Sequence, residues 1–197
     1  MSVAVDDVAA AILARTGQIT TWKLQKLAYY AQAWHLVKYG TRLFVDDFEA
    51  WAQGPVVRVL YNQHRRRNRV SDWPSGDQQN LSQTERVLLD WVIDQYGSFT
   101  AESLSRMSHI EAPWLLAREA LPAGTASSNV ISAEIMQTFY ARQVASSEDA
   151  VTIAVANSYI EGVELDEEWQ ERLRSVAEGK QSADALVAEE IRRIRGD

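Results

Sequence analysis

The chain has 197 residues, a net charge of −7 and no cysteine. This length suffices for one hydrophobic core with a small appendage, and the lack of cysteine excludes disulfides, thiolate zinc ligands and a cysteine nucleophile. The charge is uneven, because residues 148–197 hold 13 acidic and 6 basic side chains whereas the remainder holds 14 of each. An acidic end favours a basic partner surface and disfavours nucleic acid, although it could equally serve solubility alone.

Helical spacing of apolar residues begins close to the N-terminus. It predicts a first helix over Val5–Ala14, ended by Gly17, and a second from the N-cap Thr21 to Gly40. Two lysines lie off the apolar stripe of the second helix: Lys23 and Lys26. The N-terminal segment lacks a basic region followed by a long apolar run, so we expect no signal peptide. We expect a cytoplasmic protein, because cysteine is absent and no stretch has the roughly 20 apolar residues that a membrane span needs.

The next segment, Phe44–Val56, is predicted to be a loop with at most a short extended piece. Gly54 and Pro55 indicate a turn or helix entry, and the helix would then continue to about His64. A cluster of four arginines follows within residues 65–69. Such a cluster could contact nucleic acid, but no helix-turn-helix pattern lies beside it, so we favour a solvated face or a protein contact.

Local capping patterns mark the later helices. Ser82 and Glu85 form a capping box, and the segment from Ser108 to Trp114 opens a further helix. Other N-caps are predicted at Thr100, Ser132, Asp166 and Ser182. No alternating β-branched run is long enough for a sheet. We therefore predict an all-α protein, with a main helical domain over residues 1–145 and three short helices over residues 146–197.

The polar residues contain no pattern of catalysis. The three histidines lack metal-ligand spacing, and nucleophile elbows and phosphate-binding glycine loops are absent. His35 lies on an apolar stripe and is interpreted as a core histidine, while His109 and Glu111 are expected to hold the turn at Pro113 and Trp114. Three acidic residues are interpreted as part of a solvated loop: Asp46, Asp47 and Glu49. We expect neither an enzyme nor a cofactor or metal.

Four stretches together resemble the Panacea domain, an antitoxin domain known from SocA and from phage-associated GepA-like proteins. They are KLQKLAYYAQAWHLVKYG (23–40), LFVDDFEAWAQGPVVRVLY (43–61), LSRMSHIEAPW (104–114) and ISAEIMQTFY (131–140). The motif residues are Lys23, Gln25, Lys26, Tyr30, Trp34, His35, Glu49, Trp51, Gly54, Pro55, His109, Glu111, Pro113 and Trp114. The resemblance implies a mostly helical, non-catalytic domain of toxin–antitoxin pairs, in a family that neutralises many unrelated toxins.

The C-terminal segment is similar to the small VbhA-type antitoxins of Fic toxins, which transfer AMP to protein hydroxyl groups. The matching stretch is ANSYIEGVELDEEWQERLRSVAEGKQSADALVAEEIRRI (156–194), in which Glu161 and Gly162 match the inhibitory motif. The motif begins with Ser or Thr, whereas this chain has Asn157. The resemblance implies that the toxin would also contact Ser158, Ile160 and Trp169.

The combined prediction is a type II antitoxin that binds a Fic-domain toxin encoded nearby and obstructs its ATP γ-phosphate site with the helix ending at Glu161. The alternative is an antitoxin or adaptor that neutralises an unrelated toxin through the main domain. No membrane contact is expected under either alternative.

Overall fold

The computed structural model of the chain describes residues 3–143 and 166–182, together with residues 185, 186, 189, 192 and 193. The chain divides into two compact units, Met1–Tyr140 and Ala141–Asp197. The predicted domain boundary at residue 145 lies outside the described residues and stays a prediction.

The first unit is organised around one long helix that is buried on almost every side. This helix, α2 (Thr21–Tyr39), packs against α1 (Val5–Thr16), α4 (Gln83–Tyr96) and α5 (Ala101–Ile110). Its N-cap is Thr20, one residue before the predicted position, and Gly40 ends it in a left-handed conformation. A helix that is buried on nearly all sides is apolar on most of its surface. The few polar side chains on its buried faces, such as Gln25 and Lys26, are buried together with it.

Segment 44–56 contains more extended structure than the predicted loop with a short extended piece. It forms a β-hairpin, in which β2 (Phe48–Trp51) pairs antiparallel with β3 (Gly54–Val57). The predicted helix entry at Pro55 is wrong, because Pro55 pairs with Ala50 in this hairpin and α3 covers Arg58–His64. A second two-stranded pair joins β1 (Ile19–Thr20) to β4 (Arg69–Val70). The unit is mostly helical, as predicted, but it is not all-α.

Three of the remaining helices begin at their predicted caps. Ser82 and Glu85 form the capping box of α4, and Thr100 caps α5. A short 3₁₀ helix covers Gln78–Asn80, and α6 covers Ala112–Ala117, so the helix predicted to open at Ser108 begins later. The described part of α7 covers residues 133–143, and Ser132 Oγ accepts from the Ile135 amide at its start.

In the second unit, the helix α8 (Glu167–Ala177) begins at the predicted N-cap Asp166. Ser182 Oγ accepts from the Ala185 amide, as predicted for the cap of the last helix. The predicted first helix of this region lies outside the described residues.

Candidate functional site

A pocket of about 660 Å³ opens on the first unit. Its floor comes from the start of α2, and its walls come from the hairpin, α3 and two loops. One loop covers residues 65–68 and carries three arginines, and the other supplies Gly124 and residues 126–128. The aromatic side chains around it are Trp22, Trp51 and Tyr61. A concave site of this size, with aromatic walls and a few polar groups, is typical of a binding site.

The pocket is strongly cationic. Lys26, Arg58, Arg65, Arg66 and Arg67 line it, and no carboxylate is among its described lining residues. One of these cations is already neutralised, because the Arg58 guanidinium donates to Glu49 through Nε at 2.7 Å. Arg65, Arg66 and Arg67 create a positive potential that favours a negatively charged occupant.

Lys26 is the deepest of these cations, with only 1% of its surface exposed. Its Nζ donates to the Pro55 carbonyl at 3.0 Å, and burial lowers the pKa of the ammonium to about 7. The prediction that Lys26 lies off the buried stripe is therefore wrong. Gly54 leaves the space that the lysine fills, because a Cβ at Gly54 would lie 2.5 Å from Nζ. Its φ of 104° is also a conformation that favours glycine.

Gln25 fixes the hairpin against the floor of the pocket. Its Oε1 accepts from the Val57 amide at 2.8 Å, and its Nε2 donates to the Val57 carbonyl at 3.2 Å. The same Nε2 lies 2.9 Å from Nε2 of His64. Because an amide nitrogen can only donate, His64 accepts at this atom and is neutral there. Burial, which lowers the pKa of His64, favours the same state.

The interpretation of Glu49 as part of a solvated loop is wrong. Its carboxylate accepts from the Trp51 indole at 2.7 Å as well as from Arg58. Partial burial opposes the charged form of Glu49, but the bonds from Arg58 and Trp51 outweigh it and lower the pKa. Arg58 also lies over the Trp51 ring at 5.5 Å, so one wall of the pocket is a fixed arginine–tryptophan pair.

Both loops of the pocket are held by hydrogen bonds to their backbone carbonyl groups. The arginine loop is followed by β4, where Thr20 pairs with Arg69, and the Thr21 amide donates to the Asn68 carbonyl at 3.1 Å. The second loop is tied down by Arg118, which is 3% exposed. The Arg118 guanidinium donates to the carbonyls of Ala50, Pro122 and Thr125 at 3.2, 3.0 and 2.9 Å.

A second polar cluster lies inside the first unit and is not open to the pocket. Glu111, 8% exposed, accepts from the hydroxyl groups of Tyr140 at 2.6 Å and Tyr30 at 3.2 Å. Burial raises the pKa of Glu111, although both tyrosine bonds favour the ionised form. Tyr30 also stacks on Tyr96 with ring centroids 4.0 Å apart. These contacts give Glu111 a structural role in joining α2, α6 and α7.

The other residues of the HIEAPW stretch pack beside this cluster. The His109 ring stacks on Trp114 with centroids 4.3 Å apart, and the Trp114 indole donates to the Trp51 carbonyl at 3.0 Å. Pro113 is buried in the first turn of α6. Burial lowers the pKa of His109, and the nearby cations Lys26 and Arg118 lower it further. This stretch therefore supports the hairpin.

The structure brings only part of the predicted site set together. Gln25, Lys26 and Trp51 line the pocket, whereas three other motif residues hold helix contacts elsewhere. Trp34 donates to the Tyr96 hydroxyl, Lys23 to the Gly97 carbonyl, and His35 Nδ1 contacts the Thr41 carbonyl as the predicted core histidine.

The predicted inhibitory residues of the C-terminal segment are Asn157, Ser158, Ile160, Glu161 and Gly162, and all five lie outside the described residues. Trp169 is described: it lies on α8, half-buried, with the Arg172 guanidinium 5.5 Å from its ring.

Sequence reasoning missed Trp22, Arg58, Tyr61 and the 124–128 loop as parts of the site. Arg58 follows the segment that was predicted to be a loop and helix, so its place beside Glu49 depended on a hairpin that was not expected. No group of three or more potential ligands could hold a metal ion within the described residues.

Some motif residues of α2, the hairpin and α6 thus contact one another, as Lys26 does with Pro55 and Trp114 with Trp51. Residues 24–115 match the family model of the antitoxin SocA-like, Panacea domain. This match confirms the Panacea resemblance for that segment and supports an antitoxin role. No curated protein and no solved structure matches the chain. Across the described ranges, every helix is too short or too polar to span a bilayer.

Proposed function

We propose that this protein is an antitoxin that neutralises a cognate toxin by binding it, and that it is not an enzyme. The observation that carries the proposal is the match of residues 24–115 to an antitoxin domain. The pocket, most of whose lining lies in that segment, supports a binding role, because it offers cations together with aromatic side chains.

We further propose that the toxin is a Fic-domain AMP-transferase encoded nearby, and that the helix ending at Glu161 and Gly162 blocks its ATP site. The support is the similarity of residues 156–194 to VbhA-type antitoxins. In that family the glutamate pairs with the toxin arginine that would otherwise hold the ATP γ-phosphate. A desolvated, bidentate pair of this kind is strong. Misplacing a reactant by about 1 Å can cost on the order of 10²-fold in rate.

The second candidate is an antitoxin that neutralises an unrelated, non-Fic toxin through the first unit. The observation that favours it is the open pocket, most of whose lining comes from the residues that the family model matches. In this case the acidic C-terminal segment adds affinity but does not block an active site.

Rescue from toxicity tests both candidates. The adjacent reading frame is co-expressed with wild type, with Glu161→Gly and with the matched control Glu164→Gly, and survivors are counted. The Fic proposal expects Glu161→Gly to bind the toxin yet lose protection and restore AMP transfer, while the control protects fully. If Glu161→Gly protects as well as wild type, the ATP-site mechanism is wrong and neutralisation must lie in the first unit.

A further inference from the structure

We infer that the pocket beside α2 binds an acidic side chain of a partner polypeptide, with an aromatic or aliphatic residue next to it. The inference rests on the proposed function only for the identity of the partner, which would be the toxin. Its physical basis is the charge, depth and lining of the pocket itself.

Most of the basic side chains that line the pocket have no carboxylate partner among the described residues. Arg58 is paired with Glu49, but Lys26, Arg65, Arg66 and Arg67 form no ion pair with a carboxylate in the described parts of the chain. The three arginines carry like charges that repel each other, while burial lowers the pKa of Lys26 to about 7, so that this amine is only partly protonated near neutral pH. An anion that enters relieves the repulsion, favours the protonated form of Lys26 and gains attraction from these cations.

The depth of Lys26 indicates a group that protrudes into the pocket. An ammonium has three protons to donate, and the Pro55 carbonyl is the one acceptor that Nζ has among the described residues. A carboxylate that reaches Nζ would form a charge-assisted hydrogen bond away from solvent, where such bonds are strongest. The first turn of α2 lines the pocket at Thr21 and Trp22, so the positive end of the helix dipole favours the same anion.

The apolar part of the pocket lining favours an occupant that carries an apolar group next to its charge. Trp22 is 47% exposed, and Trp51, Tyr61 and Val56 complete an apolar lining on that side. A free inorganic anion would leave this surface in water, whereas an aromatic or aliphatic neighbour of the acidic residue would cover it. Aromatic contacts of this kind supply much of the free energy of protein interfaces.

The distribution of charge favours a polypeptide over nucleic acid. Residues 1–147 contain 14 acidic and 14 basic side chains, and five of the basic ones line the pocket, so the other residues of this range include more acidic than basic side chains. A nucleic-acid backbone is bound by an extended basic surface that follows its phosphates. One pocket of about 660 Å³ accommodates a few side chains.

The first test compares two probes on the full chain by isothermal titration: acetyl-Leu-Asp-Phe-amide and its uncharged analogue acetyl-Leu-Asn-Phe-amide. We expect the acidic peptide to bind at least about tenfold more tightly than the uncharged analogue. A difference of this size is typical when a charged partner is removed from a buried contact. Equal affinities would overturn the inference. Tighter binding of a ten-nucleotide oligothymidylate, or equal binding of inorganic phosphate, would overturn it in favour of a nucleic-acid surface or a small-anion site.

Matched variants locate the binding. Lys26→Met keeps the length of the buried chain and should abolish the preference for the acidic peptide. Lys23→Met is its control, since Lys23 lies one turn earlier on α2 and donates to the Gly97 carbonyl outside the pocket. Arg67→Gln should weaken the acidic peptide about threefold, whereas Arg69→Gln, on β4 and outside the lining, should not. If Lys26→Met does not fold, the arginine pair decides, and equal losses in that pair overturn the inference.

Retention of the adjacent gene product on the immobilised full chain separates this inference from the proposed function. If wild type binds the acidic peptide, Lys26→Met does not, and neither retains the gene product, the pocket inference stands and the proposed partner is wrong. If both retain the gene product and neither prefers the acidic peptide, the antitoxin function stands and the pocket inference fails.

Discussion

The polar residues of the first unit and those of α8 are used in opposite ways. In the first unit, Gln25, Lys26, Glu111 and Arg118 are buried and bind backbone carbonyls, amides or tyrosine hydroxyl groups. In α8 no residue is buried, and its charged residues pair along its own surface, as Arg172 does with Glu168. Buried polar groups specify one packing, whereas exposed pairs contribute little to stability. The buried polar residues of the first unit therefore stabilise its fold, whereas the charged pairs described on α8 contribute little to stability.

The largest effect on stability is expected from removing a buried carboxylate of the first unit. Glu111→Ala leaves the Tyr30 and Tyr140 hydroxyl groups without their acceptor and opens a small cavity, so we expect a loss of about 3–4 kcal/mol in unfolding free energy. Urea denaturation measures it. The control Glu134→Ala, on the exposed face of α7, should change it by less than about 0.5 kcal/mol. Similar losses in both variants would contradict the structural role of Glu111.

A glycine pair tests how closely the hairpin and α2 fit. Gly54→Ala places a Cβ against Nζ and Cε of Lys26 at a positive φ, so we expect a loss of about 2–4 kcal/mol. Gly40→Ala makes the same change of side chain at a φ of 69° and a ψ of 5°, a left-handed conformation, but in open space. It should cost only about 1 kcal/mol, the strain of the left-handed conformation. Thermal unfolding of both variants provides the comparison, and equal shifts would show that the lysine moves aside freely.

The buried ammonium predicts a pH dependence with a definite sign. The pKa of Lys26 falls from 10.5 to about 7 on folding, so between these values the unfolded chain holds a proton that the folded chain has released. Stability therefore rises with pH across this window, by at most about 1.4 kcal/mol per pH unit. Lys26→Met removes the contribution. Unfolding free energies of both proteins at pH 7 and pH 9 should diverge, and parallel profiles would rule out the shift.

The smallest test compares two N-caps of the same kind in the two units. Ser82→Ala and Asp166→Ala each remove a side-chain acceptor from the start of a helix, worth about 1 kcal/mol. We expect Ser82→Ala to lower the melting temperature of the first unit, because α4 packs against α1 and α2. Asp166→Ala should leave that transition unchanged and reduce only the helical circular dichroism signal. An equal effect of both on the first transition would remove the distinction between the units.

The elements that the sequence predicted well are those decided by neighbouring residues. The caps at Ser82, Thr100, Ser132 and Asp166 are local hydrogen bonds over three residues, and all four are present. The hairpin was missed because its strands have four residues each, and Gly54–Pro55 has the pattern of a helix entry.

The candidate site was only partly predictable for the same physical reason. The resemblance identified Gln25, Lys26 and Trp51 as motif residues, but the partner of Lys26 is the Pro55 carbonyl, 29 residues away. A lysine on a helix is normally assigned to the surface, and only the three-dimensional packing of the hairpin overturns that assignment. Arg58 and the 124–128 loop join the pocket through the same packing.

The contacts of Arg118 have a consequence for how the pocket could be redesigned. Its guanidinium holds the second loop by the carbonyls of Pro122 and Thr125, and every residue type supplies a carbonyl. Ser127 Oγ also holds this loop, because it accepts from the Asn129 amide at 3.1 Å. The side chains at positions 126 and 128 take no part in this anchoring, although they line the pocket. Exchanging them for a library of other residues should alter which peptides the wall accepts while the loop keeps its course. The course of this loop thus depends mainly on its backbone, whereas its binding preference depends on its side chains. Antibody variable loops on their rigid scaffold have the same division.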